Sequence, residues 1–300
     1  LGIDIALAEK LPEEGRPRGF TTVAEYQTMS HHYLARHLAV VDDALDEAFH
    51  RALNPAEACH RDLEPRAIAR SNPRRRCREP EMRKGQAVVW SSTMAYYGRI
   101  PATTAPADGW YQFRVSCSGI NVPQTEGIWT AIHSGPCIST APILTAVKAF
   151  EVGDAPTTVE LETWLPKGHM LEIRPQDSTI KRARFRGGQV GVGEGEPQKV
   201  PGIGIDRMCM RQVYRYTVKD VQQRLFGSVE LKEKSHNQFE PVPKKPRKVL
   251  AELIHSFAQR AFRRNVEKKV VVNAVSLASN MLAEGRSFVE SLRAGYRTIL

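Results

Sequence analysis

Three hundred residues exceed the usual size of one domain, so two or three compact units are expected. With 41% hydrophobic and 25% charged residues a core can form, yet no stretch approaches the roughly 18 apolar residues that a membrane span needs. The net charge of +10, much of it arginine, favours anionic partners such as nucleic acid, an acidic lipid surface or an acidic or sulfated polysaccharide, without choosing among them.

From Ser30 to Leu53 the pattern is helical. Leu34, Leu38, Val41, Leu45, Ala48 and Ala52 form one apolar stripe, with Ser30 as N-cap and Asn54-Pro55 as the stop. Leu1 to Phe20, with its prolines and glycines, reads as a short element and a loop. Nothing in this N-terminal part covers the Leu34 stripe, so an upstream partner is expected. Asn54 to Lys84 reads as a linker with a basic run of Arg66, Arg70, Arg74, Arg75, Arg76 and Arg78. A solvated linker is favoured there over an anion-binding arm, because nucleic-acid arms usually interleave aromatics or sit on a defined fold.

At Gln86 the period changes to that of strands. Tyr111, Phe113, Val115 and Cys117 alternate with Trp110, Gln112, Arg114 and Ser116, giving one buried and one wetter face. Val159 and Leu161 alternate with Glu160, Glu162 and Trp164, and Pro166 to Gly168 is read as a turn closing a hairpin with Met170 to Arg174. Val88 to Trp90, Ile128 to Ile132, Thr145 to Val152 and a last strand from Ile203 complete the set. Short strands without intervening helices predict an antiparallel sandwich. A polar stretch from Lys232 to Lys248 then leads to helices. Leu250, Ile254, Phe257 and Ala261 form one stripe, and Val270, Ala274, Leu277 and Met281 another. Ser287 and Glu290 make a capping box for a third helix with Phe288, Leu292 and Ile299. That helix is still apolar at Leu300, and the chain is expected to be a piece of a larger modular protein.

Motifs that carry chemistry are sparse. Cys59, Cys77, Cys117, Cys137 and Cys209 form no C-x-x-C pair, which excludes zinc-ribbon, thioredoxin-like and covalent-haem signatures. His31, His32, His37 and His50 share one helix, but His32 and His37 diverge by roughly 140° around it. Asp42, Asp43, Asp46 and Glu47 read as a solvated acidic face. The glycine-rich segment from Arg186 to Gly195 lacks the lysine, hydroxyl residue and helix of a phosphate loop. No complete catalytic site is expected. The candidate ligand-binding residues are Trp164 with Glu160 and Glu162 on one strand face, together with Trp129 and Tyr97; Tyr96 lies beside the last. Asp206, out of phase with Ile203 and Ile205, is the candidate calcium ligand, a single carboxylate where about six to eight oxygens are needed.

Read together, Leu1 to Ile5, the Leu11 to Gly15 turn with Gly19 and Phe20, and Met29-Ser30 before a helix containing Ala44, Leu45 and Asp46 resemble a recurring segment. It belongs to large planctomycete and verrucomicrobial multidomain proteins of unknown function, often associated with a cytochrome c domain. Asp108 to Val115, Pro201 to Asp206 and Arg224 to Gly227 resemble the β-sandwich module of those proteins, which is similar to calcium-dependent, xylan-type carbohydrate-binding modules. Phe257 to Arg264, Gly285 to Phe288 and Ala294 to Leu300 resemble their next helical domain. The resemblance implies a jelly-roll-like sandwich flanked by partial all-α segments. Residues 1–53 would be the end of a helical domain, 54–84 a basic linker, 85–215 the sandwich, 216–246 a linker and 247–300 the start of a second helical domain. It also implies a periplasmic or cell-envelope setting and polysaccharide as partner, acidic or sulfated to suit the charge, alongside other domains of the same polypeptide. The leading expectation is a noncatalytic part of a protein in polysaccharide binding or degradation, with no cofactor assigned and calcium as the candidate. The rival is the scaffold of a haem-linked redox enzyme, with haem held only in an upstream domain. Nucleic acid ranks last as a partner.

Overall fold

The structure is a computed structural model that describes residues 1–7, 10–11, 31–69, 80–93, 97–124, 126–136, 145–183 and 193–300. It divides into two compact units, a helical one built from Leu1–Glu57 and Arg215–Leu300, and a β unit of Ala58–Tyr214. The Ser30 cap, the whole arginine run after Arg66, Tyr96, Cys77, Cys137 and the glycine-rich segment before Gly193 lie outside the described residues. Helix α1 (His31–Leu53) opens the first unit. The β unit then contributes β1 (His60–Leu63), the short α2 (Pro65–Ile68), β2 (Glu81–Arg83), β3 (Gln86–Trp90), β4 (Arg99–Ile100), β5 (Gly109–Ile120), β6 (Ile128–Pro136), β7 (Thr145–Val152), β8 (Thr157–Leu165), β9 (His169–Pro175) and β10 (Gly202–Val213). The helical unit resumes with α3 (Val218–Phe226), the hairpin β11 (Leu231–Ser235) and β12 (Gln238–Pro241), then α4 (Pro246–Phe262), α5 (Val272–Ala283) and α6 (Phe288–Ile299).

The mixed α and β class and the antiparallel sheets match the sequence expectation. One sheet runs β2-β3-β10-β5-β8, with β1 also paired to β10; the other runs β4-β9-β6-β7. Between them lies one core that includes Tyr111, Phe113, Val115 and Cys117 of β5, Ile128 and Ile132 of β6, Leu171 and Ile173 of β9, and Met208 and Met210 of β10. The alternation in β5 is what builds it: every second residue from Gly109 to Cys117 is buried. A register shift between Ile205 and Arg207 leaves Asp206 on a bulge and switches the face that follows.

Two expectations are corrected in this unit. The turn at Pro166–Gly168 does not close a hairpin, since β8 pairs with β5 in the first sheet and β9 with β6 and β4 in the second. The chain crosses between sheets there because Gly168 (φ 84°) and His169 bond to Ala105 rather than to a β8 partner. The stretch 54–84 is only partly linker, because β1 and β2 extend the first sheet and Ile68 enters the core.

The helical unit also revises the reading. Val41, Leu45, Ala48 and Ala52 of α1 are buried in one core with Leu225 and Phe226 of α3, Ile254 and Phe257 of α4, and Leu292 and Tyr296 of α6. From Val41 onward the stripe is therefore covered by downstream helices, and Leu34 itself stays 43% exposed. Residues 216–246 are structured: Thr217 and Asp220 form a capping box on α3, and β11–β12 follow. In α5 the buried positions are Ala274 and Ala278, while Val270 and Leu277 of the expected stripe face outward, as Ala261 of α4 does. The acidic face of α1 is paired across to α6, with Arg293 holding Asp42 and Asp46 and Arg297 holding Asp42.

Candidate functional site

The outer face of the six-stranded sheet carries the richest set of exposed polar and aromatic groups. On β8 the period of two puts Glu160, Glu162 and Trp164 together outside, opposite Val159, Leu161 and Leu165 inside. Register then adds neighbours from β5, since Trp164 faces Trp110, Glu162 faces Gln112 and Glu160 faces Arg114. One strand further, Arg211 lies beside Gln112 and Cys209 beside Arg114, and β1 brings His60 next to Arg211 and Asp62 next to Cys209.

Trp110 and Trp164 meet edge to face, with ring centroids 5.9 Å apart, and both are half-buried. That geometry fixes each indole against the other and leaves an apolar step at one end of a polar face. Below it, Arg211 donates to Gln112 Oε1 (2.7 Å), and Arg114 is paired with Glu160 (2.7 Å). Arg207 forks onto Asp62; these hydrogen bonds hold that carboxyl below the usual carboxylate range and push the guanidinium up. His60, Gln112, Arg114, Glu160, Cys209 and Arg211 line a shallow hollow of about 210 Å³ in this face. Glu162 is exposed and has no partner among the described residues, so its carboxylate is free to accept from a ligand.

The remaining candidates do not join this cluster. Trp129 is 47% exposed, but it stands on the outer face of the other sheet opposite Glu151. Tyr97 is only 1% exposed and packs with Trp90, Val88 and Val200, its hydroxyl accepting from the Trp90 amide. Burial pushes its phenol up, and no ring face is open to a ligand. Asp206 accepts from Gln86 Nε2 at 3.0 Å on its bulge. Among the described residues no group of three His, Cys, Asp or Glu side chains that could hold a metal ion gathers around Asp206 or elsewhere. Trp110, Gln112 and Arg211 are the residues that sequence reasoning left unlinked to Trp164. The signal was present, because Trp110 and Gln112 alternate outward, but cross-strand register decides which strands share a face.

A second polar cluster sits on the outer face of the other sheet. Arg99 and Glu172 are buried and paired at 3.1 Å, with Arg174 3.6 Å from the same carboxylate. His133 faces Glu172 across the ladder, its Nδ1 without a partner among the described residues, and burial lowers its pKa against the pull of that carboxylate.

Residues 1–50, all within the helical unit, match a family described as PSD3, a protein of unknown function (DUF1587). No curated protein matches the chain. Among solved structures, a mutant of the family 29 carbohydrate-binding module CBM29-2 is similar at 13% identity and TM-score 0.30, with 55% of this chain and 91% of that one covered. Another family 29 module covers 55% of this chain and 94% of its own at 14% identity and TM-score 0.30. Eiger TNF from S. frugiperda is similar at 10% identity and TM-score 0.24, over 40% of this chain and 68% of that one. Likenesses of this strength leave the ligand of this chain to its own residues.

Proposed function

We propose that the β unit is a noncatalytic, carbohydrate-binding-like module in an envelope protein that handles polysaccharide, with glycan lying on the outer face of β1, β10, β5 and β8. The observation that supports this reading most is the Trp110–Trp164 pair at the end of a row of amide, carboxylate and guanidinium groups. Pyranose rings offer an apolar face and a rim of hydroxyls, and this surface offers an indole step with Gln112, Glu162 and Arg211 beside it. The charge of the face is balanced, because Arg114 and Arg207 are paired with Glu160 and Asp62, Arg211 is engaged by Gln112, and Glu162 is free. That balance supports a glycan of low charge, in contrast to the acidic or sulfated ligand suggested by the net charge of the whole chain.

Affinity electrophoresis of the full chain through gels containing glucan, mannan, xylan or a sulfated galactan, each with and without calcium, tests the proposal. Retardation by an uncharged glycan is expected, with Trp110→Ala and Trp164→Ala each weakening it by about tenfold. Absence of retardation on every polymer defeats the proposal, as does retardation that both tryptophan variants leave intact.

A further inference from the structure

A cleft of about 300 Å³ in the helical unit lies among Arg224 at the end of α3, Arg260 near the end of α4, Arg263 just beyond it, and the side chains of Phe257 and Ala261. Two of the three guanidiniums are held in place. Arg224 lies over the Tyr216 ring, 4.7 Å from its centroid, and Arg260 donates to the Arg224 carbonyl at 2.6 Å. Arg263 is the left-handed residue (φ 52°) that ends α4, and its side chain is exposed at the rim of the cleft. Among the described residues none of the three has a carboxylate within 4 Å. Asp220 feels the charge of Arg224 but accepts from Thr217.

Arginine at a helix C-terminus complements the macrodipole, which accounts for Arg224 and Arg260 singly. It does not account for three guanidiniums around one cleft, none of them paired with a carboxylate among the described residues. Guanidiniums held in fixed orientations present paired N–H donors that match the oxygens of phosphate, sulfate or carboxylate. Phe257 and Ala261 add an apolar wall for the body of a small organic anion.

We infer that this cleft is an oxyanion-binding site formed by Arg224, Arg260 and Arg263. It lies in the helical unit and makes no use of the glycan face of the β unit.

The experiment is titration calorimetry of the full chain with inorganic phosphate, sodium sulfate and sodium acetate against chloride at constant ionic strength. Saturable binding of phosphate or sulfate identifies a tetrahedral oxyanion, and binding of acetate alone identifies a carboxylate. Arg263→Gln removes no side-chain hydrogen bond or ion pair to another described residue and should weaken binding by about tenfold; Arg263→Lys, which keeps charge but loses the fork, should fall between. Thermal melts add an internal control, because all four tryptophans lie in Ala58–Tyr214 while the long helices lie in the other unit. The bound anion should raise the melting temperature seen at 222 nm by about 3 °C and leave the tryptophan-detected transition in place. Equal shifts in both signals are the general exclusion effect of sulfate and overturn the assignment. Heats no larger than those of chloride, or heats unchanged in Arg263→Gln, overturn it as well.

Discussion

Replacing Asp4 with alanine removes the carboxylate that faces the buried Arg51 guanidinium. The two side chains are 6% and 7% exposed and meet at 3.0 Å; Asp4 also accepts from the Arg215 amide at 3.1 Å, and Arg51 donates to the Tyr216 carbonyl. One carboxylate thus joins the first residues of the chain, α1 and the entry to α3. Removing one member of such a pair costs about 3–5 kcal/mol, because the other charge stays out of water without its ionic partner. For a unit of this size the loss corresponds to a fall of roughly 10–20 °C in melting temperature. Asp4→Asn should cost less, since the amide oxygen still accepts from Arg215. The double variant Asp4→Ala with Arg51→Met should recover much of the loss, as an apolar replacement removes the stranded charge. The assay is a melt at 222 nm with tryptophan emission followed in parallel; the helical transition should move and the tryptophan transition should stay. A shift under about 3 °C in Asp4→Ala, or strict additivity in the double variant, refutes the reasoning.

Two further outcomes concern the β unit. Gly98 has φ 84°, and a Cβ there would lie 2.3 Å from the Ile173 carbonyl oxygen, whereas Gly85 (φ 87°) has nothing within 4 Å. Gly85→Ala should cost about 1 kcal/mol from the backbone alone and Gly98→Ala at least about 1 kcal/mol more, read by guanidinium unfolding; equal losses would show that the sheet yields to the clash. His133 and His169 both have pKa values lowered chiefly by burial, against the opposing pull of Glu172 and Asp108. Below about pH 6.5 the unfolded chain therefore takes up protons that the folded chain refuses, and β-unit stability should drop as pH falls from 7.5 to 5.5. Asp62 and Asp177, with lowered pKa values, lose their contribution only at more acid pH. A double His133→Gln and His169→Gln variant should flatten the slope between pH 7.5 and 5.5, and an unchanged slope counts against the burial argument.

Local patterns carried much of the fold. The alternation from Trp110 to Cys117 names the inner and outer faces of β5 correctly, and the capping box at Ser287 and Glu290 is formed as its spacing implies. Non-local choices were not legible. Nothing in Pro166–Gly168 distinguishes a turn within a sheet from a crossing between sheets, since both need the same glycine conformation. Likewise, Thr217 and Asp220 start a helix inside a stretch whose lysines and prolines suggest a linker, because a nine-residue element carries few stripe positions. At the candidate site, Glu160, Glu162 and Trp164 share a face as their period requires. Trp129 and Tyr97 separate from them because sheet membership and burial depend on partners far away in sequence.

The helical unit is interrupted in sequence by the whole β unit, and the two ends of that insert emerge side by side: His60 pairs with Arg211, and the Gln212 amide bonds to the Cys59 carbonyl. A folded insert therefore acts on its host as a short loop, while an unfolded one is a tether of roughly 160 residues. Closing the longer tether costs about 3 kcal/mol more than closing one of about five residues. Unfolding of the insert thus weakens its host by about that amount, whereas changes that leave the insert folded do not alter the host's closure cost. The same arrangement is how a module can be acquired or lost by a lineage without disturbing the core that receives it, since only two adjacent strand ends have to be joined.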